Sequence, residues 1–564
     1  MNTPLQPAAV VGAGPILATV ARRIGLVATI DQMVPWDATR CRLSPGERIL
    51  ALILNLLTER QPLYQVDDAF RLTDPGLLLG AGVTVDDLGD DALGRALDKL
   101  AAAGPAAVFS AVAAQAYAVE ALDRGGMHWD STSRSLYGRY PTADGPAGVV
   151  PRHGHSKDHR PDLKQILFTC FVNRDGVPLM GRVEDGNRSD KRLNSEQIAR
   201  VVAAFSPAAL QDLIYIADAA LVTGPNLDAL HAAGITWLSR LPDTYGAAAR
   251  AKAAAWDADR WTALGRVAAR PQAAEYGAAE QTATIRDRTY RVVVYRSSSL
   301  DQRKAAAFDR ELVRLRTAAD RAATTLAAQP FTCAADAAAA AAAFRAIAPR
   351  WWPCTPTVEA VTRPAPRTRR GRPRADTPPA TVTTYHVTVA WGPRDEGAVR
   401  AELQRRSCFV LITTLPIARY DAAALLREYK GQTSVEQRFH FLKDPAFVDA
   451  VFLKKPERIQ ALGYVMLLAL LLFSVVERRV RAHPAPLPTS KRGNLARPTG
   501  YEILKHCRGI QVFWQDRDHR AAAFPSHYRP ALRVILAALD LSEAIFTTVP
   551  VRAAPPRNSF RSPP

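Results

Sequence analysis

The chain has few cysteines and no pattern among them. Its 564 residues include six cysteines, scattered between Cys41 and Cys507, and no C-x-x-C pair. This absence argues against a zinc ribbon and against a disulfide framework, and it favours a reducing cytoplasm. The apolar stretch after Met1 lacks the basic region of a signal peptide, so we expect no secretory leader.

Long apolar runs are also scarce. Only the run from Ala461 to Val476 is long, and its 16 residues fall short of a bilayer span. Arg458 precedes this run and Glu477 follows it. We therefore predict a buried helix here, and no membrane partner.

Acidic residues are outnumbered by basic ones. The 54 Asp and Glu residues stand against 73 Lys and Arg residues, which gives a formal net charge of +19. This charge suits a polyanionic partner, because a protein that neutralises phosphates releases their counterions. A soluble protein that is merely basic would have the same charge, so both interpretations stay open.

The first 120 residues are predicted to be mostly helical. Ser44-Pro45-Gly46-Glu47 opens one helix, and Asp90-Asp91 opens another whose apolar side holds Leu93 and Leu97. This region contains no Gly-rich loop and no metal cluster. Binding to DNA ends is one role that fits such a helical domain, and dimerisation or packing is another.

From Met127 the pattern changes to strands. Five strands are predicted, with a turn at 173–176 between the second and the third, and they lie at 127–130, 163–171, 177–183, 213–217 and 235–241. The first strand ends on Asp130, and the fourth, fully apolar strand ends on Asp218. Asn194 and Ser195 are predicted to cap a helix before the fourth strand, and Thr223 caps the helix after it.

A later stretch, Tyr429 to Lys443, has the spacing of an amphipathic helix. Its apolar face repeats at i, i+4 and i+7, at Val435, Phe439 and Leu442. The neighbouring polar face has the same spacing, at Glu436, His440 and Lys443. A carboxylate and an ammonium two turns apart suit a site that handles a metal and a phosphate. A simpler role also fits Glu436, because Thr433-x-x-Glu436 matches a capping box.

The residues of this stretch form a recognisable frame. Tyr429-x2-Gln432-x3-Glu436-x6-Lys443 resembles the Y-x2-R-x3-E-x6-K signature of bacterial insertion-sequence transposases with a DDE active site. Gln432 departs from the Arg of that signature, which removes one phosphate-facing charge and keeps a hydrogen-bonding side chain. The strand and helix order is similar to that of the ribonuclease H-like fold. Its first and fourth strands are adjacent, so Asp130 and Asp218 would lie side by side.

The resemblance implies both a fold and a site. The fold would be α/β, with a ribonuclease H-like mixed-sheet catalytic core, a helical N-terminal domain and a mixed α/β insertion domain. Asp130, Asp218 and Glu436 would be the catalytic residues and would hold two Mg2+ or Mn2+ ions. Tyr429 and Lys443 would position the transferred phosphate.

The implied activity is cleavage and strand transfer of DNA at the ends of an insertion sequence. The partners would be the terminal inverted repeats and the target DNA, bound by a homodimer. The protein would be a cytoplasmic bacterial protein, associated with the nucleoid when bound to DNA. Two other functions stay open, namely an inactive DNA-binding relic of a transposase and a ribonuclease H-like nuclease that cuts without joining.

These expectations divide the chain into six parts. They are a helical N-terminal domain at 1–122, the first part of the core at 123–242, the insertion domain at 243–419, the second part of the core at 420–482, a small C-terminal region at 483–548 and a disordered tail at 549–564. The insertion before the catalytic Glu is similar to the one in cut-and-paste DDE transposases, where it touches DNA.

Three further features have two interpretations each. The Pro-rich segment 349–380 holds Arg370 and Arg372 in an Arg-Gly-Arg-Pro sequence, which suits either a minor-groove hook or a solvated basic linker. Trp351-Trp352 could stack on an unpaired base or pack under a loop. His153-x-His155-x3-His159 could bind a metal, although its basic neighbours favour a loop along a phosphate backbone.

Overall fold

The computed structural model describes residues 8–138, 140, 148–156, 160–267, 272–366, 380–432, 436, 438–439, 441–442, 453, 455–489, 493–514 and 519–552. The chain forms two compact units. The core unit comprises Met1–Ser239 and Arg427–Pro564, and the insertion unit comprises Arg240–Leu426. The six-part division of the chain stays a prediction.

Seven helices form the first part of the core unit, as the sequence predicts. Their bounds are α1 Gly14–Arg23, α2 Leu26–Met33, α3 Pro45–Leu57, α4 Val66–Arg71, α5 Pro75–Leu79, α6 Asp90–Ala102 and α7 Pro105–Val119. Ser44 begins α3 with a capping box, because its hydroxyl accepts the Glu47 N–H and the Glu47 carboxylate accepts the Ser44 N–H. In α6 the predicted apolar side, with Leu93 and Leu97, is buried.

Five strands of a larger mixed sheet follow these helices. Its strands, numbered after the short N-terminal strand β1 (Ala8–Val10), are β2 Gly126–Leu136, β3 Lys164–Asn173, β4 Pro178–Asp185, β5 Ile214–Ala217 and β6 Thr236–Arg240. Their spatial order is β4-β3-β2-β5-β6. The first three strands are antiparallel, while β5 runs parallel to β2 and to β6. The predicted ribonuclease H-like α/β fold is confirmed.

The first core strand is longer than predicted. The sequence favours an end at Asp130 because three polar residues follow it, yet β2 continues to Leu136 and pairs with β3 along its whole length. The polar residues are buried within the strand. One of them, Ser131, donates to the Asp190 carboxylate at the start of the next helix. A buried hydroxyl with a partner is tolerated in a strand, and that partner lies far along the chain.

The helices between the strands are α8 Asp190–Ala204, α9 Pro207–Asp212 and α10 Gly224–Ala232. Thr223 caps α10, as predicted. The predicted cap of α8 is wrong, because this helix begins four residues before Asn194. The Asn194 side chain is buried and accepts a hydrogen bond from the Tyr215 hydroxyl at 3.2 Å, so it serves packing and not capping.

The predicted buried helix is the long helix Pro456–Ala482. With 27 residues it is long and apolar enough to cross a membrane, so length alone does not exclude a span. Its most apolar 18-residue window is 89% buried inside the protein, as expected for a core helix. Within the described residues, α6 and α7 together also pass this test, but the pair is bent by 88°.

The two ends of the core unit pack together. Strand β1 pairs with a strand of the C-terminal region, Gln511–Trp514, which in turn pairs with Arg520–Ala523. The other elements of this region are strands Leu487–Thr489 and Gly493–Leu495 and helices Gly500–Lys505 and Arg529–Ala538. Arg552 donates to the Glu47 carboxylate of α3. The rest of the predicted tail, 553–564, lies outside the described residues.

The insertion unit contains an antiparallel sheet and a long two-stranded ribbon. The sheet strands are β7 Thr262–Arg266, β8 Glu275–Ile285, β9 Arg288–Ser297 and β12 Cys408–Thr413, and the ribbon strands are β10 Cys354–Pro364 and β11 Thr381–Trp391. The helices are α11 Gly246–Ala258, α12 Ser298–Ala328, α13 Ala334–Ile347 and α14 Glu396–Arg406. The last helix of this part, α15 Ala422–Lys430, continues into the core unit.

The Pro-rich segment 349–380 is partly strand. Strand β10 occupies 354–364 and pairs with β11 over eleven residue pairs, because alternating Thr and Val side chains outweigh the prolines. The predicted DNA-binding residues Arg370 and Arg372 lie outside the described residues. Trp351 is buried against Phe308, with ring centroids 5.2 Å apart, which agrees with packing and not with base stacking.

Candidate active site

Asp130 lies in β2, and Asp218 directly follows the adjacent strand β5. The parallel pairing of β2 with β5 joins Gly126 to Ile214 and His128 to Ile216. If this register is continued by two residues, Asp218 falls opposite Asp130. Since neighbouring strands are about 4.8 Å apart, the two carboxylates can share one ligand. The predicted adjacency of the first and fourth strands is confirmed.

Backbone N–H groups orient both carboxylates. The Ser131 N–H donates to Asp130 Oδ1 at 2.7 Å, and the Ala220 N–H donates to Asp218 Oδ1 at 3.1 Å. The Ser239 hydroxyl of β6 donates to the Asp218 carbonyl at 2.7 Å and so fixes the backbone just beyond β5. Both aspartates are half-buried.

The charges of these two carboxylates act on the groups packed beneath them. Burial raises the pKa of the Cys170 thiol, and the negative charge of Asp130, its partner across the strands, raises it further. Burial likewise raises the pKa of Tyr215, and the charge of Asp218 adds to that effect. The charge of each acid thus reaches a buried group on a neighbouring position of the sheet.

The segment that carries Glu436 runs along one face of β2. This face holds Gly126, His128, Asp130 and Arg134, since side chains two residues apart point to the same side. A Cβ on Gly126 would lie 2.5 Å from Oε1 of Glu428, near the end of α15.

Two further contacts fix the direction of this segment. A Cβ on Gly431 would lie 2.9 Å from the His128 ring. Further along, Arg134 donates to the Leu442 carbonyl. The segment from Glu428 to Leu442 thus runs in the same direction as β2.

The same contacts bracket Glu436 and Asp130. The Glu436 N–H donates to the Gln432 carbonyl at 3.3 Å, which is the i→i−4 bond of a helical turn. Glu436 lies between Gly431, beside His128, and Leu442, whose carbonyl accepts a hydrogen bond from Arg134. Asp130 lies between His128 and Arg134 on β2, so both acids fall between the same two contacts.

The structure does not bring all three acids into contact. Within the described part of the chain, no three His, Cys, Asp or Glu side chains are close enough to hold one metal ion. Asp130 and Asp218 lie on or just beyond adjacent strands and are half-buried, while the Glu436 side chain is exposed. Three carboxylates would match the oxygen ligands that Mg2+ and Mn2+ prefer. Their assignment as catalytic residues stays a prediction.

The buried side of the Glu436 segment follows its predicted apolar pattern where it is described. Phe439 and Leu442 are buried, and the Phe441 ring lies 4.8 Å from the Phe473 ring of the long helix. Three residues of the predicted faces, Val435, His440 and Lys443, lie outside the described residues. The predicted phosphate contact of Lys443 therefore has no structural description.

A buried ion pair that the motif does not contain secures this segment. Arg438 is 4% exposed and donates to Glu477 of the long helix at 2.7 Å. It also donates to the carbonyls of Asp175 and Gly176, in the turn between β3 and β4. Glu477 in turn accepts the Gly500 N–H at 2.6 Å. Arg438 therefore ties the turn of helix that carries Glu436 to two other elements.

His128 is a second residue that the sequence analysis missed. It is fully buried, and neither ring nitrogen has a hydrogen-bond partner among the described residues. Burial lowers the pKa of His128 to about 3, and the positive charge of Arg174 contributes, so the ring is neutral. His128, Asp130 and Arg134 are spaced by even numbers of residues, so they lie on one face of β2. A predicted strand that continued past Asp130 would have shown this face.

The other predicted DNA contacts are only partly described. Tyr429 is half-buried, and its carbonyl accepts the Gln432 N–H at 3.1 Å. Gln432 is 8% exposed, and its side-chain oxygen has no partner among the described residues. A role of Gln432 beside a phosphate stays a prediction. His153 and His155 are exposed, and His159 lies outside the described residues.

Comparison with known proteins gives a family match. The family described as transposase DDE domain matches residues 142–472, which is more than half of the chain. The matched range includes Asp218 and Glu436 and begins after Asp130. A domain of unknown function, DUF4277, matches residues 10–114, in the helical first part of the core unit. No curated protein matches the sequence.

Proposed function

Because the chain belongs to the transposase DDE domain family, we propose that it cleaves DNA at the ends of an insertion sequence and joins those ends to target DNA. The observation that supports this proposal is the parallel pairing of β2, which carries Asp130, with β5, which ends just before Asp218, beside the segment that carries Glu436. Membership of the Tyr–Arg–Glu–Lys signature class is part of the proposal and rests on Tyr429, Glu436 and Lys443.

Asp130, Asp218 and Glu436 are proposed to hold two divalent cations, Mg2+ or Mn2+. The donor set fits these ions, since carboxylate oxygens are hard ligands and backbone N–H groups orient Oδ1 of both aspartates. When bound, such ions activate a water or a DNA 3′-hydroxyl and stabilise the leaving oxygen. Glu436 completes the site when its exposed side chain turns toward the two aspartates.

The remaining roles concern the DNA. Tyr429 and Lys443 position the transferred phosphate, and Gln432 provides a neutral hydrogen-bonding group beside it. Arg370 and Arg372 contact the backbone or the minor groove, and the net charge of +19 strengthens binding to any sequence at low salt. The proposed partners are the terminal inverted repeats and the target DNA, bound by a homodimer in the bacterial cytoplasm, in association with the nucleoid.

Charge-removing substitutions test the site. Asp130→Asn, Asp218→Asn and Glu436→Gln keep side-chain size and remove the charge that holds a cation. With Mg2+ and a duplex carrying the inverted repeat that flanks the gene, each variant should lose strand cleavage and joining. DNA binding and thermal stability should change little. Mn2+ titration of the DNA-free proteins should show weaker binding in each variant, which gives a readout independent of activity.

Asp212→Asn is the matched control, because it removes the same charge at the opposite end of β5, where Asp212 is exposed. It should cleave like the wild type. If Glu436 were only a helix cap, Gln would serve almost as well, at a cost of about 1 kcal/mol or less, and activity would survive. Near-normal turnover of Glu436→Gln contradicts the proposed mechanism. Cleavage without any joined product would instead indicate a nuclease.

A further inference from the structure

The insertion unit contains a polar cavity of about 390 Å3. Five cationic side chains and one carboxylate line it, and these are Arg240, Arg303, Lys304, Arg405, Arg406 and Asp243. Its volume is at the lower end of the range for ligand pockets, so it suits a small group. The excess of cations indicates that this group is an anion.

Two of the five cations are not neutralised. Arg303 and Lys304 are exposed neighbours on α12, and neither has an ion-pair partner among the described residues. Among the residues that the structure describes, Arg303 donates to the Ser299 carbonyl alone, at 3.3 Å. Two adjacent like charges repel each other, so an anion between them is favourable.

The opposite wall is held rigidly. Arg405 and Arg406 both donate to Glu402, which is 6% exposed. Burial alone would raise the pKa of Glu402, but the hydrogen bonds from these two arginines lower it to about 2. Arg406 also donates to Glu311 at 2.6 Å and lies over the Phe308 ring. These two guanidinium groups therefore keep their positions before any ligand binds.

The first turn of the 31-residue helix α12 forms the floor of the cavity. Ser297, Ser299 and Leu300 line it, and the Ser297 side chain makes no capping hydrogen bond. The free N–H groups of a helix start carry partial positive charge, which adds to that of the side chains. Asp243, the one carboxylate, is already bonded to Lys252 at 2.7 Å.

We propose that this cavity binds a phosphate group of a DNA backbone, as a second phosphate site besides the carboxylate site of the core unit. The identity of the phosphate carrier rests on the proposed function, while the anion site rests on the cavity alone. Arg303 and Lys304 form the exposed side of the site, and Arg405 and Arg406, which are bonded to Glu402, form the other.

Salt dependence of DNA binding tests the proposal. The full chain with Arg303→Gln and Lys304→Gln should bind a short duplex more weakly than the wild type, as measured by fluorescence anisotropy. The slope of log K against log salt should become shallower by about 0.9, the contribution of one phosphate. Arg345→Gln is the matched control, because Arg345 is exposed on α13 of the same unit and does not line the cavity.

Ser299→Asp separates binding from folding. A carboxylate in the first turn favours a helix, so this variant should melt no earlier than the wild type, yet it should repel a phosphate. Inorganic phosphate should raise the melting temperature of the wild type above its value in chloride of equal ionic strength, and it should raise that of Ser299→Asp less. The proposed site would be overturned if the Arg303→Gln, Lys304→Gln double variant and Ser299→Asp both had the salt slope of the wild type and the same rise in melting temperature with phosphate.

Two further comparisons separate the alternatives. A duplex with and without a 5′-phosphate should bind equally well, whereas loss of binding without it would overturn the backbone assignment in favour of a terminal phosphate. Asp130→Asn distinguishes this site from the proposed chemistry. If Asp130→Asn still cleaves DNA while Ser299→Asp binds DNA weakly, the proposed mechanism fails and the phosphate site stands. If Asp130→Asn is inactive while Ser299→Asp binds DNA like the wild type, the mechanism stands and the phosphate site fails.

Discussion

Replacing Arg438 by methionine tests whether the buried ion pair positions Glu436. Arg438 and Glu477 are 4% and 3% exposed at their side chains and lie 2.7 Å apart. The substitution removes this contact and the two hydrogen bonds from Arg438 to the turn between β3 and β4. Methionine keeps much of the aliphatic stem, so the change is mainly electrostatic.

The expected cost follows from the partners that remain. Removing one member of a buried ion pair costs about 3–5 kcal/mol, because the other charge stays buried. Glu477 keeps Arg481 and the Gly500 N–H as partners, so we expect the lower end, about 3 kcal/mol. Glu477→Gln should cost more than Arg438→Met, because it leaves both Arg438 and Arg481 without an anion.

Urea unfolding of the full chain measures these losses. Arg478→Met is the matched control, because Arg478 lies next to Glu477 and its ion pair with Asp175 reaches the same turn. That pair is 25% and 49% exposed, so its loss should cost at most about 1 kcal/mol. If Arg438→Met and Arg478→Met lowered the free energy of unfolding equally, the argument from burial would be refuted.

Activity per folded molecule decides whether Arg438 acts on the site. Glu436 lies two residues before Arg438, and a shift of about 1 Å in a reacting geometry can cost about 10²-fold in rate. Arg438→Met should therefore cleave DNA more slowly at a temperature where it is fully folded, while Arg478→Met should not. Normal cleavage by folded Arg438→Met would show that this ion pair serves stability alone.

The contact between His128 and Gly431 leads to two further predictions. Gly431→Ala should lower cleavage at unchanged DNA affinity, because its Cβ would lie 2.9 Å from the His128 ring and would push the Glu436 segment away from β2; wild-type cleavage would contradict this packing. Since the pKa of His128 is lowered from 6.5 to about 3, the unfolded chain binds the extra proton between these values, so the free energy of unfolding should fall as the pH falls through that window. Urea unfolding at several pH values measures the free energy of unfolding of the wild type and of His128→Gln. The difference between the two free energies should become smaller from about pH 7 to about pH 4. A difference that stays constant would contradict a neutral buried ring.

Many elements could be predicted from the sequence because their causes are local. The capping box at Ser44 and Glu47 starts α3 within four residues of chain. The apolar run before Asp218 forms β5, and a stretch rich in Thr and Val forms β11. The turn before Gly176 also forms as predicted, with Gly176 at a φ of 76°.

The errors came where a distant partner overrides a local signal. Serine and threonine after Asp130 favour a turn, but Ser131 finds Asp190, and β3 pairs with the whole strand. Asn194 favours a helix cap, but its side-chain oxygen accepts a hydrogen bond from the Tyr215 hydroxyl instead. The prolines of 349–364 argue against a strand, but β11 supplies a complete partner. None of these partners is visible in a local window.

The sequence by itself determined the candidate acids, the frame around Glu436 and the order of strands that makes two of those acids neighbours. Only the tertiary structure decided the parallel register of β2 with β5, the burial of His128 and the ion pair between Arg438 and Glu477. The physical reason is that spacing along a helix or strand is a local property. Register, burial and ion pairing depend instead on segments that are distant in the chain and meet only when the core closes.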